Sequence, residues 1–238
     1  VDDKTEIIPI VCIYTRKRCG NFKCRAVALG NRQKNVLSGE VYSPTISHAG
    51  NRFLLIESAA RGHHLIQFDI SNAFIQSTLE EKVVCLLPKH WTPEGNHRSR
   101  LVRLLKSLYG LRVAPRRWFD CYRRKLEEDG WEMAPREPGL FKKSVNGVEL
   151  LLAVYVDDTL ISCGSKSVLE SETKRILGFF EGKIISPEMA PDGKTEIRDL
   201  LGATLMYNRE DRRMEIGAGS AIDTILKKFR MENCRALL

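Results

Sequence analysis

Two adjacent carboxylates interrupt an apolar run, Leu150-Leu151-Leu152-Ala153-Val154-Tyr155-Val156-Asp157-Asp158-Thr159-Leu160-Ile161-Ser162-Cys163. Held against a core, two like charges repel and lose hydration, so they need a counter-charge. A divalent ion suits them, because hard cations take carboxylate oxygen. An ordinary hairpin turn, which Asp often makes, is equally consistent with the dipeptide. A third acid lies near the end of another apolar segment, His64-Leu65-Ile66-Gln67-Phe68-Asp69-Ile70. If these segments are neighbouring strands, three carboxylates meet at one point. That is the make-up of a two-metal site, whose ions sit roughly 3.5–4 Å apart and clamp the attacking and leaving oxygens of a phosphoryl transfer.

Several elements must position those acids. Gly20-Asn21 marks a turn between Val11–Tyr14 and Phe22–Leu29, which predicts a hairpin. Ser47 is placed to cap a helix running to Arg61, with Gly62 as its stop. A strand over 64–70 and a helical turn over 71–75 follow. The stretch 88–100, with Pro88, Pro93, Gly95 and Asn96, reads as a polar loop. Pro115 opens a second helix at a position proline tolerates. Trp118, Tyr122 and Leu126 form its buried stripe, and Gly130 ends it. Ser167-Val168-Leu169-Glu170 matches a capping box, starting a helix with Leu169, Ile176, Leu177 and Phe180 turned inward. A loop over 186–194 precedes a hairpin from Arg198–Tyr207 and Arg213–Ile216. Ser220 is placed to cap a last helix with Ile222, Ile225, Leu226 and Phe229 on one face. Strands mixed with helices, without regular alternation, indicate an α+β fold.

The 238 residues suffice for a substantial core. No run approaches the ~18 apolar residues of a membrane span. Val1-Asp2-Asp3-Lys4 is not a signal peptide, and a start other than Met suggests a processed or excised piece. The net charge of +8 is uneven. Residues 16–34 hold seven bases and no acid, and residues 98–125 hold ten bases and one acid, Asp120. Such concentration suggests polyanion binding, with a solvated charged face as the plainer alternative. The seven cysteines (12, 19, 24, 85, 121, 163 and 234) make no C-x-x-C pair or zinc spacing and read as reduced and structural. His63-His64 reads as surface or turn. The cysteine pattern and the absence of a signal peptide suggest an intracellular protein that is not secreted.

Four segments carry a resemblance over nearly the whole chain to the reverse transcriptase domain of copia-type LTR retrotransposons. They are Tyr42-Ser43-Pro44-Thr45 through Phe53-Leu54-Leu55 to Phe68–Phe74, then Leu104-Leu105-Lys106-Ser107-Leu108-Tyr109-Gly110-Leu111-Arg112-Val113-Ala114-Pro115-Arg116-Arg117-Trp118-Phe119, then Tyr155-Val156-Asp157-Asp158, and last Leu200-Leu201-Gly202. The second is similar to the family signature LKKSLYGLKQAPRQWY, which is long and specific. Two departures stand out. Val113 replaces a usual Gln, and Ser186-Pro187-Glu188 replaces a usual Leu-Gly turn.

The resemblance implies a right-hand architecture. Fingers would occupy 1–66 and 88–118, palm 67–87 and 119–199, and the primer grip and root of a thumb 200–238. It implies RNA-directed DNA polymerase activity, with RNA/DNA template-primer and dNTPs as partners and no membrane. RNase H and integrase domains would accompany it in a full polyprotein. Asp69, Asp157 and Asp158, with the carbonyl of Ile70, would bind two Mg²⁺, with Mn²⁺ a substitute. Lys183 would protonate pyrophosphate. Lys23 and Arg25 would hold triphosphate oxygens. Phe74 would lie under the sugar and exclude a 2′-hydroxyl, and Tyr109 and Gly110 would support the nucleotide. Pro115, Tyr155, Leu201 and Gly202 would contact template or primer. A catalytically inactive or domesticated nucleic-acid-binding remnant is the alternative.

Overall fold

The computed structural model describes residues 6–16, 20–33, 41–91 and 100–231. The expected loop residues Pro93, Gly95 and Asn96, the bases Lys17, Arg18, Lys34 and Arg98, and Cys19 and Cys234 lie outside them. In chain order the elements are β1 (Ile7–Arg16), β2 (Phe22–Ala28), α1 (His48–Arg61), β3 (His64–Ile70), β4 (Val84–Leu86), β5 (Leu101–Arg103), α2 (Ala114–Glu128), β6 (Glu132–Met133), β7 (Leu140–Val145), β8 (Val148–Tyr155) and β9 (Asp158–Cys163). They continue with α3 (Lys166–Phe179), β10 (Gly182–Ile185), β11 (Glu188–Met189), β12 (Thr195–Leu200), β13 (Ala203–Asn208), β14 (Arg213–Gly217) and α4 (Gly219–Phe229). The mixture is α+β, with three sheets ordered β2-β1-β4-β5, β10-β3-β9-β8-β7-β6 and β11-β12-β13-β14.

The central six-stranded sheet is apolar on both faces because its strands alternate two apolar sets. On one face Phe68, Ile70, Leu150, Leu152, Val154 and Ile161 pack against Trp118, Tyr122 and Leu126 of α2 and Leu169 and Ile176 of α3. On the other, Leu65, Ala153 and Leu160 meet Leu54 and Leu55 of α1 together with Leu200, Leu205 and Tyr207 of the meander β11–β14. A third core joins Ile8, Ile10 and Ala28 to Cys85, Leu111, Val113 and Ala114. Thus α1, though in the first expected segment, is buried on the central sheet, while α2 starts in the third core and continues in the first.

The expected caps hold at α1, where Ser47 Oγ accepts from Gly50 N at 3.0 Å and Gly62 is left-handed with φ 61°. They shift elsewhere. Because β9 runs to Cys163, the chain turns at Gly164 and the N-cap of α3 is Ser165, with extended dihedrals, not Ser167. The last helix begins at Gly219 with Ala218 as N-cap, two residues before the expected cap Ser220. Its Ile222, Ile225 and Phe229 are exposed. The expected loop at 186–194 contains β11, which pairs with β12 and makes a four-stranded meander of the expected hairpin.

Polar groups tie the layers together. His63 is buried, contrary to the surface reading, and bonds through Nδ1 to Ser162 Oγ at 3.1 Å. Ser58 donates to Leu54 O and so accepts from Ser162 at 2.6 Å, which commits the Ser162 proton and makes His63 Nδ1 the donor. Tyr207 Oη donates to the carbonyls of Ser58 and His63, docking the meander on α1. Lys143 of β7 lies between Asp129 at 2.7 Å and Glu172 at 2.6 Å, and Arg175 also pairs with Asp129. Replacing Lys143 by Met takes the cation from buried Glu172 and leaves Asp129 with its Arg175 pair. Denaturant unfolding should show a loss of about 3–5 kcal/mol, whereas Lys142→Met, which breaks an exposed pair with Glu132, should cost under about 1 kcal/mol.

Candidate active site

The pairing that periodicity left open is present: β3 and β9 are antiparallel neighbours, and their register sets Asp69 opposite Asp158. Across the other edge of β3, β10 sets Lys183 opposite Asp69, and across β9, β8 sets Tyr155 opposite Asp158. Directly opposed residues share a face with Cβ atoms about 4.5–5.5 Å apart. Lys183, Asp69, Asp158 and Tyr155 therefore form one row over four strands.

Asp157 sits beside that row in a two-residue turn between β8 and β9. Val156 occupies its first position with φ 60°, a left-handed conformation that such turns normally give to glycine. A β-branched residue there is strained and persists only where its surroundings impose it. Two bonds do so. The Trp118 indole Nε1 donates to Val156 O at 2.6 Å, and Ile70 N donates to Asp157 O at 2.9 Å. Trp118, read from sequence as packing alone, thus also holds the hairpin tip. Tyr122, a turn later on α2, bonds Thr159 at 3.1 Å.

Burial raises the pKa of Asp157, helped by the Asp69 charge and opposed by its own backbone hydrogen bond and by Lys23 and Arg25. Burial also raises Asp158, reinforced by Asp157, Asp69 and Asp199, to about 6. Tyr109 is raised by burial and by Asp157, with Arg25 opposing. The acids, the two β2 bases and Tyr109 therefore share one electrostatic neighbourhood. Phe74, in the short helical turn Ala73–Gln76, packs on Tyr109 with ring centroids 4.8 Å apart. Gly110 has φ +88°, and a Cβ there would lie 2.1 Å from Ala28 O, so only glycine fits. Ala28 N donates to Tyr109 O at 2.7 Å, seating the 107–111 segment on β2. Gly30, not singled out from sequence, is equally tight: its Cβ would lie 2.0 Å from Gly110 O.

Leu201 and Gly202 form the β12–β13 turn with φ 54° and 80°. Asp199 accepts from Gly202 N at 3.1 Å. A cavity of about 510 Å³ is lined by Gln67 and Asp158 on one sheet and by Arg198, Asp199 and Thr204 on the other. Pro115 stands in the first turn of α2, its carbonyl bonded by Ser43 Oγ at 2.9 Å. The second basic window is less free than its sequence suggested. Arg116 pairs with Asp120, Arg117 with Glu81, Arg123 with Glu127 and Lys125 with Glu128. Arg100 and Arg112 donate to the carbonyls of Leu87 and Gln33.

Among the described residues, no group of three His, Cys, Asp or Glu side chains forms a cage for one ion. The donors present still suit Mg²⁺. It is usually held by one or two carboxylates and shares its shell with water and substrate phosphates, without an all-protein cage. Partly buried carboxylates of raised pKa gain most from such a cation.

A family model described as reverse transcriptase (RNA-dependent DNA polymerase) matches residues 2–237. The Retrovirus-related Pol polyprotein from transposon TNT 1-94 of Nicotiana tabacum is 25% identical over 236 residues, 95% of this chain and 17% of that protein. The Pol polyprotein from transposon RE2 of Arabidopsis thaliana is 32% identical over 167 residues, 68% of this chain and 11% of that protein. The transposon Ty1-BL Gag-Pol polyprotein of Saccharomyces cerevisiae is 27% identical over 236 residues, 96% and 12% respectively. The chain thus spans less than a fifth of the length of these relatives. Among solved structures, apo telomerase from Candida tropicalis aligns with 90% of this chain and 56% of that one, at 12% identity and a TM-score of 0.49.

With its pKa raised from 3.8 to about 6, Asp158 binds its proton more tightly folded than unfolded. Its contribution to stability is therefore most favourable below about pH 4 and declines as pH rises through about 6. In metal-free buffer, Asp158→Asn should gain roughly 1–2 kcal/mol over wild type at pH 7.5, after allowance for solvent screening. Thermal melts should show that gain vanishing near about pH 4.

Proposed function

Because the chain belongs to the reverse transcriptase (RNA-dependent DNA polymerase) family, we propose that it transfers a deoxynucleotide from a dNTP to a primer 3′-hydroxyl on an RNA or DNA template. The observation that carries this reading is the register setting Asp69 opposite Asp158, with Asp157 beside them. Asp69, Asp157 and Asp158, with the Ile70 carbonyl, would hold two Mg²⁺, for which Mn²⁺ can substitute. The chemistry supplied by the bound ions is activation of the 3′-hydroxyl and neutralisation of charge on the leaving pyrophosphate.

The protein's own groups do the rest. Lys23 and Arg25, close enough to bias Asp157, bind triphosphate oxygens, Arg25 through its forked donors. Lys183, in the row beside Asp69, delivers a proton to the pyrophosphate oxygen. Phe74, backed by Tyr109, stands where a 2′-hydroxyl would collide with it. Gly110 keeps the 107–111 segment close against β2. Pro115 and Tyr155 face template and primer, and the Leu201-Gly202 turn holds the primer end. In this reading 1–66 and 88–118 are fingers, 67–87 and 119–199 palm, and 200–238 primer grip and thumb root. The described residues contain no helix long and apolar enough to cross a membrane. The chain would work inside the cell, in a cytoplasmic particle or the nucleus, beside RNase H and integrase segments of a polyprotein.

Extension of a primed RNA template with dNTPs and Mg²⁺ tests the proposal. Asp157→Asn should lower the rate by about 10³-fold or more, because metal charge stabilisation is worth several kcal/mol. Equal rates for the two proteins would rule the reading out. Phe74→Val should raise ribonucleotide incorporation by about tenfold or more while extension with dNTPs persists. Unchanged discrimination would remove Phe74 from this role.

A further inference from the structure

The catalytic sheet and the β11–β14 meander are separate sheets, and two buried side chains cross the seam between them in opposite directions. Gln67 Nε2, from β3, donates to Asp199 O at 2.9 Å. Arg198 Nη2, from β12, donates to Leu65 O at 3.0 Å and is neutralised by Glu196 at 2.7 Å. Gln67 is 3% exposed and Arg198 5%.

The clasp lies between the two functional ends. Gln67 precedes Asp69 by two residues and so shares its face of the sheet. Asp199, which receives the Gln67 bond on its carbonyl, binds Gly202 N through its carboxylate. A continuous bonded path thus runs from the strand of Asp69 to the 201–202 turn. Apolar packing joins the two sheets where Leu65, Ala153 and Leu160 meet Leu200, Leu205 and Tyr207 in the second core. Beside Asp158 the seam is instead open as the 510 Å³ cavity. Directional bonds between buried groups fix geometry where packing leaves room.

We propose that Gln67 and Arg198 are positioning residues that set the separation between the 201–202 turn and the Asp69–Asp158 pair, and with it the approach of a primer end to the carboxylates. The proposal rests on the polymerase reading given above. A misplacement of about 1 Å in such a reaction costs about 10²-fold in rate.

Single-turnover extension from a preformed protein–template–primer complex separates this role from general stability. Gln67→Leu removes the donor at similar volume, and Arg198→Met removes the reciprocal one. Each should lower the maximal rate by about 10²-fold, while Kd for template–primer and for dNTP stays within about threefold. Tyr207→Phe, which loses the docking bonds to Ser58 and His63, should keep its rate within about threefold of wild type. Amide hydrogen exchange over 199–203, measured without substrate, should accelerate in Gln67→Leu and not in Tyr207→Phe. A wild-type chain unable to extend a primer overturns the polymerase reading. An active wild type matched in rate by both clasp variants, or variants slowed no more than Tyr207→Phe, overturns the clasp. So does unchanged exchange in Gln67→Leu, whether or not the wild type is active.

Discussion

Three carboxylates gathered at one end of a buried sheet repel each other, and most of what surrounds them makes that arrangement tolerable. The β3–β9 register leaves Asp69 and Asp158 no way to avoid one another, since a slip of one residue would turn every side chain of β3 to the opposite face. The slip is blocked by burial on both faces: Phe68 and Ile70 belong to one core and Leu65 to another. Two apolar faces thus enforce a polar coincidence at the strand ends.

The helices act as anchors as well as cover. The tip of the β8–β9 hairpin is bound from α2 by Trp118, its second strand by Tyr122, and its turn carbonyl by the amide of Ile70. Because α2 begins in the core that includes β1 and β2, the hairpin carrying two acids and the β2 strand carrying Lys23 and Arg25 are referenced to the same rigid body. On the opposite side α1, His63, Ser58 and Tyr207 dock the meander.

Much of this was legible in the order of residues. The strand with Asp69, the α1 cap at Ser47, the stripe Trp118–Tyr122–Leu126 and the Asp157-Asp158 hairpin follow from periodicity and local chemistry, which act over a few residues. What was not legible depends on long-range geometry. Ser167 satisfies a capping box on paper, but the end of β9 decides where α3 starts and gives the cap to Ser165. His63 looks like a turn residue until Ser162, on another strand, offers it a partner. The bases of 98–125 look free until Glu81, Asp120, Glu127 and Glu128 come beside them. Gln67 gave the faintest usable signal, a polar residue in an apolar strand two places before an acid. Neither Phe74 nor Gly110 could be tied to Tyr109 and Ala28 without the fold.

The left-handed Val156 means that the hairpin is not a portable module. An isolated peptide covering β8 and β9 would lack the Trp118 and Ile70 bonds that hold its turn, and a valine left to itself avoids that conformation. The four letters Tyr-Val-Asp-Asp therefore name a geometry only inside this tertiary setting. Grafting them onto another hairpin would transplant the acids without their arrangement, unless a donor to each of the two turn carbonyls came with them.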